Sequence, residues 1–212
     1  MFASASNLTC AALEGDRVRL EPLSLAHVPG LLAAATGPRD SYAHTSVPAT
    51  ADEMQRMVAT AIAVAQAGAA VPFATVDKRA GRVVGCTRFA NLEHIQVPLE
   101  GQPIAVRPYA VEIGWTWLAA AAQRTHVNTE AKLLMVTHAF EVWNVVRVVL
   151  KTSEKNARSR AAIERLGCEL DGISRTFLPG GTTRQTAWYS IGREQWASSR
   201  ARLLARLEAD GM

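Results

Sequence analysis

The chain has 212 residues, which predicts one domain with a substantial hydrophobic core. Hydrophobic residues make up 49% of it and charged residues 20%, a balance that excludes a largely disordered protein. The net charge of +4 is mild, and no Lys/Arg cluster is interleaved with aromatic residues, so a nucleic-acid partner is not expected.

Three cysteines, Cys10, Cys86 and Cys168, lie far apart and lack CxxC spacing, so neither a disulfide framework nor a metal site is predicted. A reducing cytoplasm is the expected location. The first 13 residues do not have the pattern of a signal peptide. The Ala-rich stretch 57–76 contains Gly68 and Pro72, so no membrane span is expected. The protein is predicted to be a monomer or a homodimer.

The first half of the chain predicts a loose N-terminal extension over residues 1–15, followed by a single domain over 16–212. The predicted elements are a strand over Val18–Leu23, a helix from Ser24 to about Thr36, a helix from Thr50 or Asp52 to near Gly68, and strands over Val71–Asp77 and Arg82–Asn91. Lys78–Gly81 predicts a hairpin turn. Leu92–Pro108 holds three prolines and a glycine and predicts a long loop.

The second half alternates strands and helices. The predicted elements are strands over Tyr109–Leu118, Arg147–Thr152, Leu170–Leu178 and Arg184–Ile191, and helices over Thr129–Asn144, Asn156–Leu166 and Arg193 to about Leu207. Strands on both sides of a central strand–helix–strand unit predict an α/β fold with a mixed sheet and helices on its faces.

The run Val111–Trp117 and the polar turn Gln123–Asn128 lead directly into the strongest predicted helix. A helix start presents free backbone N–H groups, and these bind phosphate well. The stretch therefore predicts a site for a phosphate-bearing cofactor. Because strand–turn–helix units are common, this prediction needs support from the rest of the chain.

Four segments, in order, resemble the GNAT acetyltransferase superfamily and its RimJ/RimL-like branch of ribosomal-protein N-terminal acetyltransferases. They are Val18–Leu23, Glu112–Trp115, Asn128–Ala131 continuing to His138–Glu141, and Asn156–Arg160 continuing to Ile163–Cys168. The resemblance implies a central mixed, largely antiparallel twisted sheet with a splayed strand pair. It also implies an acetyl-CoA-dependent N-acetyltransferase that needs no metal.

In such a fold the strand through Glu112–Trp117 would diverge from Arg147–Thr152 and accept the pantetheine arm in the gap. The resemblance assigns cofactor contacts to Ile113, Gly114, Trp115, Thr116, Gln123, Arg124, Thr125, His126, Val127, Asn128, Thr129, Asn156, Arg158 and Ser159. The family turn usually carries small residues, mostly glycine, where this chain has His126 and Asn128. Side chains there predict crowding of the phosphates or a strained φ.

Acetyl transfer needs a neutral amine, a donor for the thioester oxygen and an acid for the leaving thiolate. Glu112 is the predicted base; the alternative is a carboxylate that faces solvent or pairs with an arginine. The backbone N–H groups of residues 113–115 are predicted to polarise the thioester. Ser159 is the predicted acid, with a surface or capping serine as the alternative.

Tyr42, His44 and Trp115 are predicted to contact the acceptor, with a solvated loop histidine and core aromatics as the alternatives. The acceptor is predicted to be a primary amine, in this branch a protein or peptide N-terminus. Two alternatives stay open: a small amine such as a polyamine, an amino acid or an antibiotic, and an acyl-CoA-binding module with little catalysis.

Overall fold

The computed structural model describes residues 9–99, 102–178 and 180–209. The strands are β1 (Leu13–Glu14), β2 (Val18–Pro22), β3 (Ala70–Asp77), β4 (Arg82–Leu99), β5 (Gln102–Leu118), β6 (Arg147–Ser153), β7 (Glu169–Phe177) and β8 (Thr183–Gly192). The helices are α1 (Val28–Ala34), α2 (Ala51–Gln66), α3 (His126–Glu141), α4 (Ala157–Glu164) and α5 (Arg193–Ala209), with single 3₁₀ turns at Leu25–His27, Asp40–Tyr42 and Ala120–Ala122.

Within the described residues, the strands form one sheet in the order β1-β2-β3-β4-β5-β6-β8-β7. β5 and β6 pair in parallel, and the other neighbouring strands pair antiparallel. The parallel register joins Ala110–Glu112 to Arg147–Val149 and does not continue past Glu112. The predicted fold class is therefore confirmed, including the pair of strands that separates.

The two faces of the sheet pack against different helices. On one face, Phe89, Val111, Ile113 and Val148 belong to a large core with residues of α3 and α5. On the other face, Cys86 and Trp117 belong to a second core with residues of α1 and α2. Since side chains alternate along a strand, Glu112 lies on the face opposite to Val111 and Ile113. That placement puts Glu112 on the face opposite to α3.

Local sequence signals set the ends of the helices. The Thr50 hydroxyl accepts a hydrogen bond from the Glu53 N–H, and the two residues form a capping box at the start of α2. The Thr125 hydroxyl accepts from the Val127 N–H at the start of α3. α3 therefore begins at His126, three residues before the predicted start at Thr129. No helix in the described ranges combines the length and hydrophobicity needed to cross a bilayer.

The predicted loop Leu92–Pro108 is wrong, because these residues extend β4 and β5 into a long antiparallel hairpin. Its residues 100 and 101 lie outside the described ranges. The register with β3 ends at Ala90 and the register with β6 begins at Ala110, so the hairpin extends beyond the rest of the described sheet. Proline is tolerated there because an edge strand does not need every N–H for pairing.

Two residues of the predicted extension over residues 1–15 lie in the sheet. Leu13 and Glu14 form β1 and pair with Leu20 and Arg19 of β2. Residues 1–8 of the predicted extension lie outside the described residues.

Candidate active site

Glu112 lies at the last paired residue before β5 and β6 separate, opposite Val149. Its side chain is buried, with a residue exposure of 6%. The Lys151 ammonium lies 2.6 Å from Glu112 Oε2, and the Asn91 side-chain amide donates to the same oxygen at 2.7 Å. The carboxylate is therefore paired with a lysine, and it faces neither solvent nor an arginine at bonding distance.

The Glu112 carboxylate lines a cavity of about 230 Å³ on the face of the sheet opposite to α3. The walls include Asn91 and Glu93 of β4, Val149 and Lys151 of β6, and Trp188 of β8. The Lys151 ammonium also lies 4.3 Å from the centre of the Trp188 ring, within cation–π range. The cavity thus combines an ion pair with an aromatic wall, an arrangement suited to a polar, cationic group.

Beyond Glu112, β5 contains a bulge. Arg88 pairs with Gly114 and Cys86 with Trp117, so Trp115 and Thr116 together face the single residue Thr87. Trp115 has a φ of 50°, a left-handed conformation that is rare for a bulky residue, and is 51% exposed. The Arg88 guanidinium stacks on its ring at 3.4 Å. We call Trp115–Thr116 the β5 bulge.

Gly114 lies between Glu112 and the β5 bulge. A Cβ on residue 114 would lie 3.1 Å from Glu112 Oε1, so this carboxylate oxygen is directed along the strand toward the bulge. Since Lys151 and Asn91 both contact Oε2, the two oxygens of Glu112 have different surroundings. The side chain of Ile113 packs in the core, which leaves its backbone for any contact with a cofactor.

On the helix side of the β5 bulge lies Lys132 of α3, which is 3% exposed. Its ammonium donates to Thr116 Oγ1 at 2.7 Å and to Thr87 Oγ1 at 2.9 Å, and the two hydroxyl oxygens are 2.7 Å apart. Burial lowers the pKa of Lys132 from its ordinary value to about 7. Sequence reasoning did not identify this lysine as part of the site.

The turn before α3 has the layout expected for phosphate binding. Arg124 is exposed and has a φ of 62°, and Thr125 caps the helix. The residue with the left-handed backbone is thus Arg124, and the strain predicted for His126 and Asn128 is wrong because both are helical. Val127 is buried in the core, whereas Asn128 and Thr129 are half-buried in the first turn of α3.

The His126 ring is turned toward β3, with Nε2 4.0 Å from Asp77 Oδ1. This ring nitrogen is buried and has no hydrogen-bond partner among the described residues. The His126 side chain therefore packs beside the sheet, while its backbone N–H stays at the helix start.

The start of α4 is joined to the turn before α3 by Arg158. Its guanidinium donates to Gln123 Oε1 at 2.9 Å and to the backbone carbonyl of Ser41. The Asn156 side chain is buried and caps α4 by accepting from the Ser159 N–H at 3.1 Å. Ser159 is half-buried in the first turn of α4. The predicted cofactor residues of α4 thus lie beside the predicted phosphate turn, as a single binding region requires.

Two predicted acceptor contacts have different environments. Tyr42 is buried, stacks edge-on against Trp117, and donates its hydroxyl to the Leu118 carbonyl at 3.0 Å. Burial raises the pKa of its phenol. Its placement is that of a core residue, so the prediction of a substrate contact for Tyr42 has no structural support. His44 is exposed in the loop before α2.

Sequence reasoning missed Lys151 and Asn91 as well as Lys132. The alternation of side chains along β6 could have indicated Lys151. Residues two apart in a strand share a face, and Val149, two residues before Lys151, is the register partner of Glu112. Asn91 lies where a bulge interrupts β4 and has a φ of 49°, a feature that residue type alone does not reveal.

Comparisons with known proteins agree with this architecture. Residues 17–169 match the family described as "Acetyltransferase (GNAT) domain". A GCN5-related N-acetyltransferase from Brucella melitensis superposes with a TM-score of 0.80 at 27% identity, over 95% of this chain and 87% of that one. RimJ of Mycobacterium smegmatis, solved in complex with CoA-disulfide, superposes with a TM-score of 0.67 over 92% and 91% of the chains, and at 18% identity it shows the fold alone.

Among curated proteins, the chain is 31% identical over 86 residues to "Putative ribosomal N-acetyltransferase YdaF" of Bacillus subtilis. The match covers 40% of this chain and 46% of the relative, so the chain spans about half of that protein's length. The family match covers most of the described domain and includes β5, the turn Gln123–Asn128 and α4. The chain is a member of the GNAT acetyltransferase family.

Proposed function

We propose that the protein transfers the acetyl group of acetyl-CoA to a primary amine, and that this amine is the N-terminus of a protein or peptide. One observation carries the proposal: Glu112 presents a carboxylate to a cavity at the point where β5 and β6 separate. A carboxylate in this position can accept a proton from an amine that attacks between the strands. The name of the relative YdaF, a putative ribosomal N-acetyltransferase, supports the choice of a protein acceptor.

The chemistry divides among groups of β5 and α4. Attack forms an N–C bond and breaks the C–S bond of the thioester; the amine releases a proton and the thiolate takes one up. Glu112 Oε1 accepts the amine proton, since Oε2 already contacts Lys151 and Asn91. The Trp115 N–H is the donor for the thioester oxygen. Ser159, at the start of α4, donates to the thiolate.

Cofactor binding is assigned to the helix starts that Arg158 joins. The first N–H groups of α3 lack acceptors within the helix, and Thr125 accepts from the N–H of Val127. The N–H groups of His126 and Asn128 are then directed to the pyrophosphate oxygens. Arg124 and Arg158 add positive charge at the same place. The match of residues 17–169 to the GNAT acetyltransferase family, which includes both helix starts, supports this assignment.

The cavity also supports a second acceptor class. Its volume of about 230 Å³ suits a few heavy atoms, the size of one N-terminal residue or of a small amine. A panel that contains short peptides and small amines therefore separates the two classes. The alternative of a binding module with little catalysis was suggested by a His126 side chain that would crowd the phosphates. The His126 ring lies beside Asp77 and outside the turn, which argues against such crowding.

The test combines calorimetry with acetyl-CoA and a thiol-release assay over that panel. Saturable acetyl-CoA binding with thiol release on peptides is the expected result. Release on small amines alone would replace the acceptor class, and tight binding without release on any amine would favour the binding module. Failure to bind acetyl-CoA would overturn the proposal as a whole.

A further inference from the structure

Lys132 is a buried ammonium that the reaction described above does not use. It lies in the second turn of α3 and is 3% exposed. Two neutral hydroxyls, of Thr87 and Thr116, accept from its Nζ at 2.9 and 2.7 Å. In the described part of the chain no carboxylate lies within ion-pairing distance of it.

Burial without a counter-charge costs folding free energy. The pKa of Lys132, lowered to about 7 by burial, reports this cost. Methionine has nearly the same length and would fill the position without a charge. Strongly perturbed groups concentrate at functional sites, although a lysine that only joins α3 to the sheet is the competing explanation.

The position of Lys132 relative to the β5 bulge separates these explanations. Thr87 is the residue of β4 that faces the bulge, and Thr116 is its second residue. Their hydroxyl oxygens lie 2.7 Å apart, so the ammonium bonds to both strands at the point where the register changes. Among the other buried residues of α3, Met135 accepts at its Sδ from Thr87 Oγ1 at 3.7 Å but bonds to neither residue of the bulge, whereas Val136 belongs to the large core and has no hydrogen-bonding side chain.

The same cluster fixes the direction of the peptide between Gly114 and Trp115. The carbonyl oxygen of Gly114 lies 3.4 Å from Thr116 Oγ1 and 3.5 Å from Thr87 Oγ1. These contacts are long, but they place the carbonyl on the β4 side of the strand. In a trans peptide the N–H points opposite to the C=O, so the Trp115 N–H is directed away from β4, to the side on which β6 has separated.

We propose that Lys132 is a positioning residue for acetyl transfer: through Thr116 and Thr87 it holds the β5 bulge so that the Trp115 N–H faces the opening between β5 and β6. This inference rests on the proposed function, in which that N–H is the donor for the thioester oxygen. Lys132 acts through the two threonines and does not touch the substrate.

The experiment compares Lys132→Met with the wild type in steady-state kinetics. We expect kcat to fall by about 10- to 100-fold, the scale for a misplaced catalytic group, while both KM values change less than threefold. Thr116→Val removes the hydroxyl and should lower kcat in the same way, whereas Thr116→Ser should restore it. The Thr116 pair tests the inference even where Lys132→Met does not fold. Val136→Ala is the matched control: it lowers stability and leaves kcat unchanged.

Hydrogen exchange without substrate gives a readout that does not depend on turnover. Amides of residues 112–118 should exchange at least about tenfold faster in Lys132→Met, and those of β2 should not change. Faster exchange in Lys132→Met, together with a wild type that turns over no amine, would uphold the role of Lys132 at the bulge and overturn the proposed function. Unchanged exchange together with unchanged kcat would overturn the role of Lys132. A kcat loss shared equally by Thr116→Ser and Thr116→Val would also overturn it.

Discussion

Two buried charges flank one short stretch of β5, and they are stabilised in different ways. On the cavity side, Glu112 has an opposite charge, Lys151, and an amide, Asn91. On the helix side, Lys132 has the hydroxyls of Thr87 and Thr116. Both groups lose hydration, but in Glu112 an opposite charge offsets the loss. At Lys132 only the neutral dipoles of two hydroxyls offset the loss of hydration. The lowered pKa of this lysine reflects the part of the desolvation cost that they leave uncompensated.

This difference in how the two charges are stabilised indicates different roles for Glu112 and Lys132. A carboxylate that bonds to a nearby ammonium can exchange that partner for the amino group of a substrate that enters the cavity. A cation held by two hydroxyls is fixed in place, because the threonines belong to paired strands. We therefore expect changes at Glu112 to alter the chemistry and changes at Lys132 to alter both geometry and stability.

The largest expected effect comes from Glu112→Gln. The amide keeps the shape but cannot take the amine proton, so kcat should fall by about 10²- to 10⁴-fold. Acetyl-CoA affinity by calorimetry should change less than twofold, because the side chain lies on the acceptor side. Glu93→Gln, a carboxylate on the cavity wall with a side chain 55% exposed, is the matched control. Unchanged turnover at neutral pH would reject Glu112 as the base.

Lys151→Met tests how much the Lys151 ammonium stabilises the buried carboxylate of Glu112 on the cavity side. It leaves the Glu112 carboxylate buried without its ammonium, and the free energy of unfolding should fall by about 1–3 kcal/mol, less than for a fully buried pair because Lys151 is partly exposed. Lys78→Met removes an equally short but exposed ion pair with Glu14 and should cost about 0–1 kcal/mol. Urea unfolding measures both variants. Equal losses would mean that burial does not distinguish the two pairs.

The pH dependence of the free energy of unfolding tests the burial of Lys132 on the helix side. Between pH 7 and the ordinary lysine pKa of 10.5, the unfolded chain holds a proton on Lys132 that the folded protein lacks, so stability should rise with pH. The slope should approach about 1.4 kcal/mol per pH unit, and below pH 7 the full cost of burial is present. Lys132→Met should lack this rise.

Urea unfolding from pH 6 to 8.5 measures this slope. Burial raises the pKa of Cys86 and Cys168 to about 12, and these thiols lower stability only above about pH 9. They therefore stay outside the range of the measurement. Parallel curves for the wild type and Lys132→Met would show that Lys132 keeps its ordinary pKa in the folded protein.

Much of the architecture follows from local patterns. Alternation predicted the strands, and Thr50, Gly68, Asn156 and Gly167 indicated where helices begin or end. The hairpin over Leu92–Pro108 was missed because its prolines resemble a loop, and only the sheet shows that these residues lie beyond the neighbouring strands. Edge position is a property of the assembled sheet and is absent from the local sequence.

The candidate site likewise contains one residue that the sequence predicted and others that depend on the assembled sheet. Glu112 was predicted, because the family resemblance places its strand beside the presumed acetyl position and its neighbours in the sequence are apolar. Its partners were not, because the contact depends on the register of β5 with β4 and β6. Lys132 was missed because α3 is buried around most of its circumference, so helical periodicity does not separate a core position from a solvent position.

The smallest expected effect comes from His126→Gly, at a position where the sequence predicted crowding of the phosphates or a strained φ. The ring lies against Asp77 without a close bond and the backbone is helical, so acetyl-CoA affinity should stay within about threefold. Stability should fall by less than about 1 kcal/mol, from helix propensity alone. Calorimetry and urea unfolding provide the two values, and His126→Ala is the control for glycine flexibility. A tenfold loss of affinity in both variants would show that the imidazole contacts phosphate, and would extend the comparison of Glu112 with Lys132 to a third side chain.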